Sequence, residues 1–151
     1  MPKNSGKILI IMLLFLLAGV LALKQKAAFG WAFDFLLVVL LIAPIFLDLG
    51  EFLFFEVFGI WFLRLIYPFS GLETVILALL PLFSFGFRRF LHWQSWAEPF
   101  AISFFGVLGF YACVSPAIFG NLSFLFLDLS ASLAFAWVLY AVLNRAWKPK
   151  Y

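Results

Sequence analysis

Seven carboxylates, one histidine and one cysteine are the main groups with which this 151-residue chain could do acid-base, nucleophilic or metal chemistry. They are scattered: Asp34, Asp48, Glu51, Glu56, Glu73, Glu98 and Asp128, with His92 and Cys113. His92 stands beside Arg88 and Arg89 with no second ligand near it in the sequence, so a metal site or a general base lacks its partners. No Gly-rich phosphate loop, nucleophile elbow or intramembrane His–Glu constellation is present. Cys113 is alone, which excludes a disulfide framework, and its apolar surroundings suit a small packing residue. The sequence therefore predicts no catalytic residue, no metal, no cofactor and a protein that is not an enzyme.

Three carboxylates have a structural explanation. Asp48-Leu49-Gly50-Glu51, Ser70-Gly71-Leu72-Glu73 and Ser95-Trp96-Ala97-Glu98 each place an oxygen acceptor three residues before a Glu, ahead of an apolar run. In a capping box the first residue accepts from a backbone N–H of the first turn and the Glu reaches back. Asp34 reads as an end-of-helix charge. Glu56 and Asp128 remain, and a charge near the middle of a bilayer costs ~2.5–3.5 kcal/mol on insertion scales, so such a group faces the bundle interior and finds a partner. Glu56 lies among Phe54, Phe55, Val57 and Phe58, and Gly59 nearby can admit a close neighbour. Arg64 is eight residues on, about 12 Å along a helix, too far for easy pairing with Glu56; it reaches the outer surface or meets Glu73 across a hairpin. Asp128, with Ser132 four residues later, either partners a positive group such as Arg64 or another subunit, or snorkels to the outer interface. Ser130, Ala131, Ala134 and Ala141 give that helix a small-residue side for close packing.

The elements that must position these groups follow from composition. The chain is 67% hydrophobic and 11% charged, against roughly 25% charged in a soluble domain. Its apolar runs are long rather than alternating, which selects spanning helices of ~20 residues over barrel strands of ~10. The expected fold is an all-α membrane bundle, one integral domain over residues 1–151, with about six transmembrane helices. They run from Ile8 to Leu23, Phe29 to Leu47, about Glu51 to Tyr67, about Leu72 to Phe87, Pro99 to Phe119 and Leu122 to about Leu143. Pro44 and Pro81 are kinks that neighbouring helices can tolerate. Pro68 to Gly71 reverses the chain between the third and fourth helices, and Asn121 caps the sixth. The first helix, after Lys3 and Lys7, also resembles a signal peptide; no Ala-x-Ala site follows it, so it is expected to stay.

Orientation follows from the basic residues. With the N-terminus in the cytoplasm, seven of the ten Lys and Arg fall in cytoplasmic segments and three in outer links, which favours both termini cytoplasmic. The net charge of +3 thus belongs to helix ends in a lipid bilayer, and nucleic acid is a poor partner for it.

One region bears a family resemblance. Asp34-Phe-Leu-Leu-Val-Val-Leu-Leu-Ile-Ala-Pro, then Glu51 through Gly59 and Arg64 to Pro68-Phe-Ser-Gly71-Leu, then Arg88-Arg89, resembles the bacterial rod-shape-determining membrane protein family MreD over residues 30 to 90. Gly59 and the Pro68–Gly71 turn are the matching positions. Arg64 departs from the pattern, since the family usually carries an Asp just before the turn, and any role of that acid does not carry over. The resemblance implies a non-enzymatic scaffold in the bacterial inner membrane, crossing it several times, in the cell-elongation machinery beside MreC, the actin-like MreB and peptidoglycan-synthesis proteins. Glu56, Gly59, Arg64 and Asp128 are then candidate contacts within the bundle or with partners. Arg88, Arg89 and the C-terminal basic cluster suit anionic headgroups or a protein partner. The alternative is a small-molecule transporter, or a substrate-binding membrane subunit like those of energy-coupling-factor transporters, with which MreD-like proteins share overall design. It would use Glu56, with Asp128 as a second such group, to hold substrate or a proton.

Overall fold

In hydrocarbon a backbone must satisfy its own amides, and a segment can do so alone only as a helix. The computed structural model describes residues 5–29, 34–66, 71–87, 97–114 and 116–147, and among them every long element is an α-helix. These are α1 (Ser5–Phe29), α2 (Phe35–Ile42), α3 (Leu49–Ile66), α4 (Gly71–Phe87), α5 (Ala97–Val114) and α6 (Leu122–Ala146). Six helices and an all-α bundle agree with the sequence expectation.

By length and composition three helical stretches can cross a membrane: Gly6–Lys24, Ala97–Val114 and Leu122–Ala146. The exterior suits that setting. Large apolar side chains such as Leu13, Leu17, Phe54, Trp61, Phe83, Phe105, Phe126 and Trp137 point outward, and an apolar exterior on this scale is rare on soluble monomers.

The second helix differs most from expectation. Instead of one run from Phe29 to Leu47, α1 continues to Phe29, and α2 occupies only Phe35–Ile42 before a 3-10 turn at Ala43–Ile45. Pro44 sits in the first turn of that 3-10 segment; lacking an N–H, it ends the α-helix where a bend was expected. The eleven residues Phe35–Ile45 span about 16 Å, half the ~30 Å of a hydrocarbon core. A short apolar helix of this kind is a core element. Leu36 to Leu47 are all buried, and α2 packs against α1, α3, α4, α5 and α6.

Glycines set two of these approaches. A Cβ at Gly59 of α3 would touch Leu40 Cδ2 at 3.4 Å and Phe15 Cζ at 3.6 Å, so Gly59 admits close neighbours as expected. At Gly106 of α5 a Cβ would stand 2.8 Å from Leu41 Cδ2, inside contact distance. Gly106 therefore lets α5 pack closely on α2. On the opposite side Phe15 of α1, fully buried, meets Phe55 and Phe62 of α3 at ring-centroid distances of 5.5 and 5.6 Å.

Local signals hold at two helix starts. Glu51 accepts from the Asp48 N–H at 3.0 Å, the reach-back of a capping box, and also meets Lys7 Nζ at 3.5 Å. Asn121 caps α6 by accepting from the Phe124 N–H at 3.2 Å. Ser70 and Ser95, the other two expected caps, lie outside the described residues, as do the turn residues Pro68 and Phe69. Pro81 sits buried within α4, tolerated as expected. Cys113, in the last turn of α5, is exposed instead of packed in the core, contrary to expectation.

Candidate functional site

The helix contacts define two ends of the bundle. Lys7 and Glu51 join the starts of α1 and α3 at one end; Tyr111 and Asp128 join the finish of α5 to the start of α6 at the other. Each end carries buried polar groups, composed differently.

Asp128 is six residues into α6, about 9 Å from its start, and is 0% exposed. Neither expected fate fits it. It neither snorkels nor pairs with Arg64, which is exposed on α3; its Oδ2 accepts a hydrogen bond from the Tyr111 hydroxyl. Asp34, at the N-cap of α2, stands beside that hydroxyl and beside the Asp128 carboxylate. Asp34 is half-buried and is thus a member of an interhelical cluster instead of a bare end-of-helix charge. Three helices supply one group each: α2 an acid, α5 a phenol, α6 an acid.

The α6 face that carries Asp128 continues with Ser132, Ala136 and Tyr140, all buried. Of the small-residue side anticipated at Ser130, Ala131, Ala134 and Ala141, Ser130 and Ala134 point outward while Ala131 and Ala141 are half-buried, and Ser130 turns its hydroxyl to the Phe126 carbonyl at 2.7 Å. The helix is rotated so that the polar stripe, spaced by four, meets α2 and α5. Asp128 Oδ1 and the hydroxyls of Ser132 and of Ser103 on α5 are buried with no hydrogen-bond partner among the described residues. That is unusual, because buried polar atoms are nearly always paired and serines in helices commonly bond the carbonyl four residues back, as Ser84 does to Leu80.

At the Lys7 end a cation stands among the acids. The Lys7–Glu51 pair is buried, at 5% and 15% side-chain exposure. Glu56 lies about 10 Å into α3; it is 5% exposed, with Oε2 unpartnered among the described residues. Glu98, in the first turn of α5, is buried as well. Glu56 is therefore inside the bundle as expected, in a different place from the Asp128 cluster, which stands at the other end.

No protein-family model, curated protein or solved structure matches this chain. The site rests on its own geometry. Among the described residues no three His, Cys, Asp or Glu side chains are grouped to hold a metal ion. Of the sequence candidates, Asp128 gains two partners and Glu56 is enclosed; Gly59 faces inward, Arg64 outward. Arg88, Arg89 and His92 lie outside the described residues. Tyr111 is a member that sequence reasoning does not single out, and Asp34 is one that it assigns only to a helix end. The signal for Tyr111 is a lone hydroxyl-bearing ring in an apolar run, which needs a partner when buried.

Proposed function

We propose that this chain is a non-enzymatic scaffold subunit of the bacterial cell-elongation machinery, resembling MreD, that crosses the inner membrane several times with both termini in the cytoplasm. The observation that supports it is the outward face of the α3–α4 hairpin, the region that carries the resemblance. Leu53, Val57, Trp61 and Leu65 on α3, and Leu72, Val75, Leu79 and Phe83 on α4, are exposed and recur every three or four residues, so each helix presents a continuous apolar stripe. Inside a bilayer such a stripe meets lipid or another helix, and association there comes from packing. A subunit that offers two stripes and an exposed Arg64 at their far end is equipped to join MreC-like and peptidoglycan-synthesis membrane proteins. The test is depletion in the host, with cell outline followed over several generations. Rounding before lysis is expected, reproduced by Val57→Arg at unchanged membrane abundance; cells that keep their shape after depletion exclude the scaffold.

A second reading, a small-molecule transporter, is favoured by the enclosed acids Glu56 and Asp128. Intramembrane ionisable residues are costly and mark substrate or proton pathways. Under it, Glu56→Gln abolishes uptake of the growth-limiting nutrient at normal expression; full uptake by that variant removes Glu56 from the pathway.

A further inference from the structure

The cluster of Asp34, Tyr111 and Asp128 has more acceptors than donors. A tyrosine hydroxyl carries one proton. Given to Asp128 Oδ2, that proton leaves the contact between the phenol and Asp34 to be made by a hydrogen on the Asp34 carboxyl. Two bare carboxylates around one phenol would also place like charges together in an apolar bundle, where charge is tolerated only when paired. The neighbouring titratable side chains do not supply a counter-charge. Lys24 on α1 and Arg64 on α3 are exposed, Cys113 on α5 is exposed, and Glu73 on α4, half-buried, is itself an acid.

A second observation lies one turn deeper. Asp128 Oδ1 and Ser132 Oγ are both buried and unpartnered among the described residues, on the same face of α6. A helical Cβ tilts toward the helix N-terminus, so Ser132 leans toward Asp128. Ser103, on the facing side of α5, is the next buried hydroxyl without a partner; from the pairing of Tyr111 with Asp128 in antiparallel helices it lies about 6 Å beyond Ser132 along the seam.

We propose that Asp34, Tyr111 and Asp128 form a proton-binding and proton-passing site, with Asp34 as the entry and Asp128 as the inner station. This rests on neither reading of the whole protein given above. The half-buried Asp34 takes a proton from the nearby interface. It passes that proton to the Tyr111 oxygen as Tyr111 passes its own to Asp128; the phenol is neutral before and after, and one negative charge moves from Asp128 to Asp34. Ser132 and then Ser103 extend the line of hydroxyls toward the middle of the bundle.

The test is infrared spectroscopy of the full chain in lipid at neutral pH, reading the carbonyl stretch of a protonated carboxylic acid. The wild type is expected to show the band of a protonated acid that shifts in D2O, because the proton exchanges. The component assigned to the cluster is lost in one of Asp34→Asn and Asp128→Asn and displaced in the other, and it survives Glu56→Gln and Glu98→Gln. Absence of any such band, or a band removed only by Glu56→Gln or Glu98→Gln, overturns the proposal. If circular dichroism shows that an Asn variant has not folded, Tyr111→Phe decides: it keeps both acids, displaces the band and slows its exchange, whereas an unmoved band with wild-type exchange overturns the site.

Discussion

The seam of α2, α5 and α6 and the hairpin of α3 and α4 solve the same problem in opposite ways. Both are apolar helices interrupted by charge. The seam turns its polar groups inward and binds them to one another across three helices, with Gly106 letting α5 close on Leu41. The hairpin holds Glu51 and Glu56 inward but shows a broad apolar face and Arg64 to the outside. The difference teaches that hydropathy alone does not tell interior from exterior in such a chain. What separates them is where small and polar residues repeat by fours.

Substitutions can sharpen or break that contrast. The largest effect belongs to the interior: Phe15→Ala, emptying a fully buried site between α1 and α3, is expected to cost about 3–5 kcal/mol, read from detergent-denaturation curves by circular dichroism. The same change at the exposed Phe54 is expected to stay within about 0.5 kcal/mol; equal losses would erase the distinction between inner and outer faces. Gly106→Ala should cost about 1–3 kcal/mol by overpacking against Leu41, while Gly86→Ala, with nothing within 4 Å of its added Cβ, should be neutral or stabilising. A harmless Gly106→Ala would mean that α5 and α2 are not in tight contact. Tyr111→Phe removes the shared hydroxyl and should cost about 1–3 kcal/mol, and much less if Asp34 is also changed to Asn; additivity of the two, measured in a double-mutant cycle, would uncouple the cluster. The mildest of the expected losses from a removed interaction is at the surface: Asn121→Ala, losing the α6 cap, should cost about 0.5–2 kcal/mol, and Asn121→Ser should restore it.

The Asn121 cap and the return of Glu51 to Asp48 are legible in the amino-acid sequence because both bonds close within four residues. The interior position of Glu56 is legible from its four apolar neighbours and the cost of exposing it to lipid. The partners of Asp128 are not, because they depend on how α6 is rotated against α5. Small or polar residues repeat by fours on two faces of α6, Ser130 with Ala134 and Asp128 with Ser132, so spacing alone does not say which face turns inward. The start of α2 is hidden for a related reason. Ala27 to Phe33 holds no charged residue and no proline, so nothing before Asp34 marks where one helix finishes and the next begins.

The shortness of α2 has a consequence for how the molecule is made. About 16 Å of helix cannot by itself fill a membrane, and its surface is matched to five protein neighbours instead of to lipid tails. During synthesis the apolar surface of such a segment stays uncovered until flanking helices are present. The last helices to emerge, α5 and α6, then close over it. Truncation after α4 would therefore leave uncovered the face of α2 that meets α5 and α6.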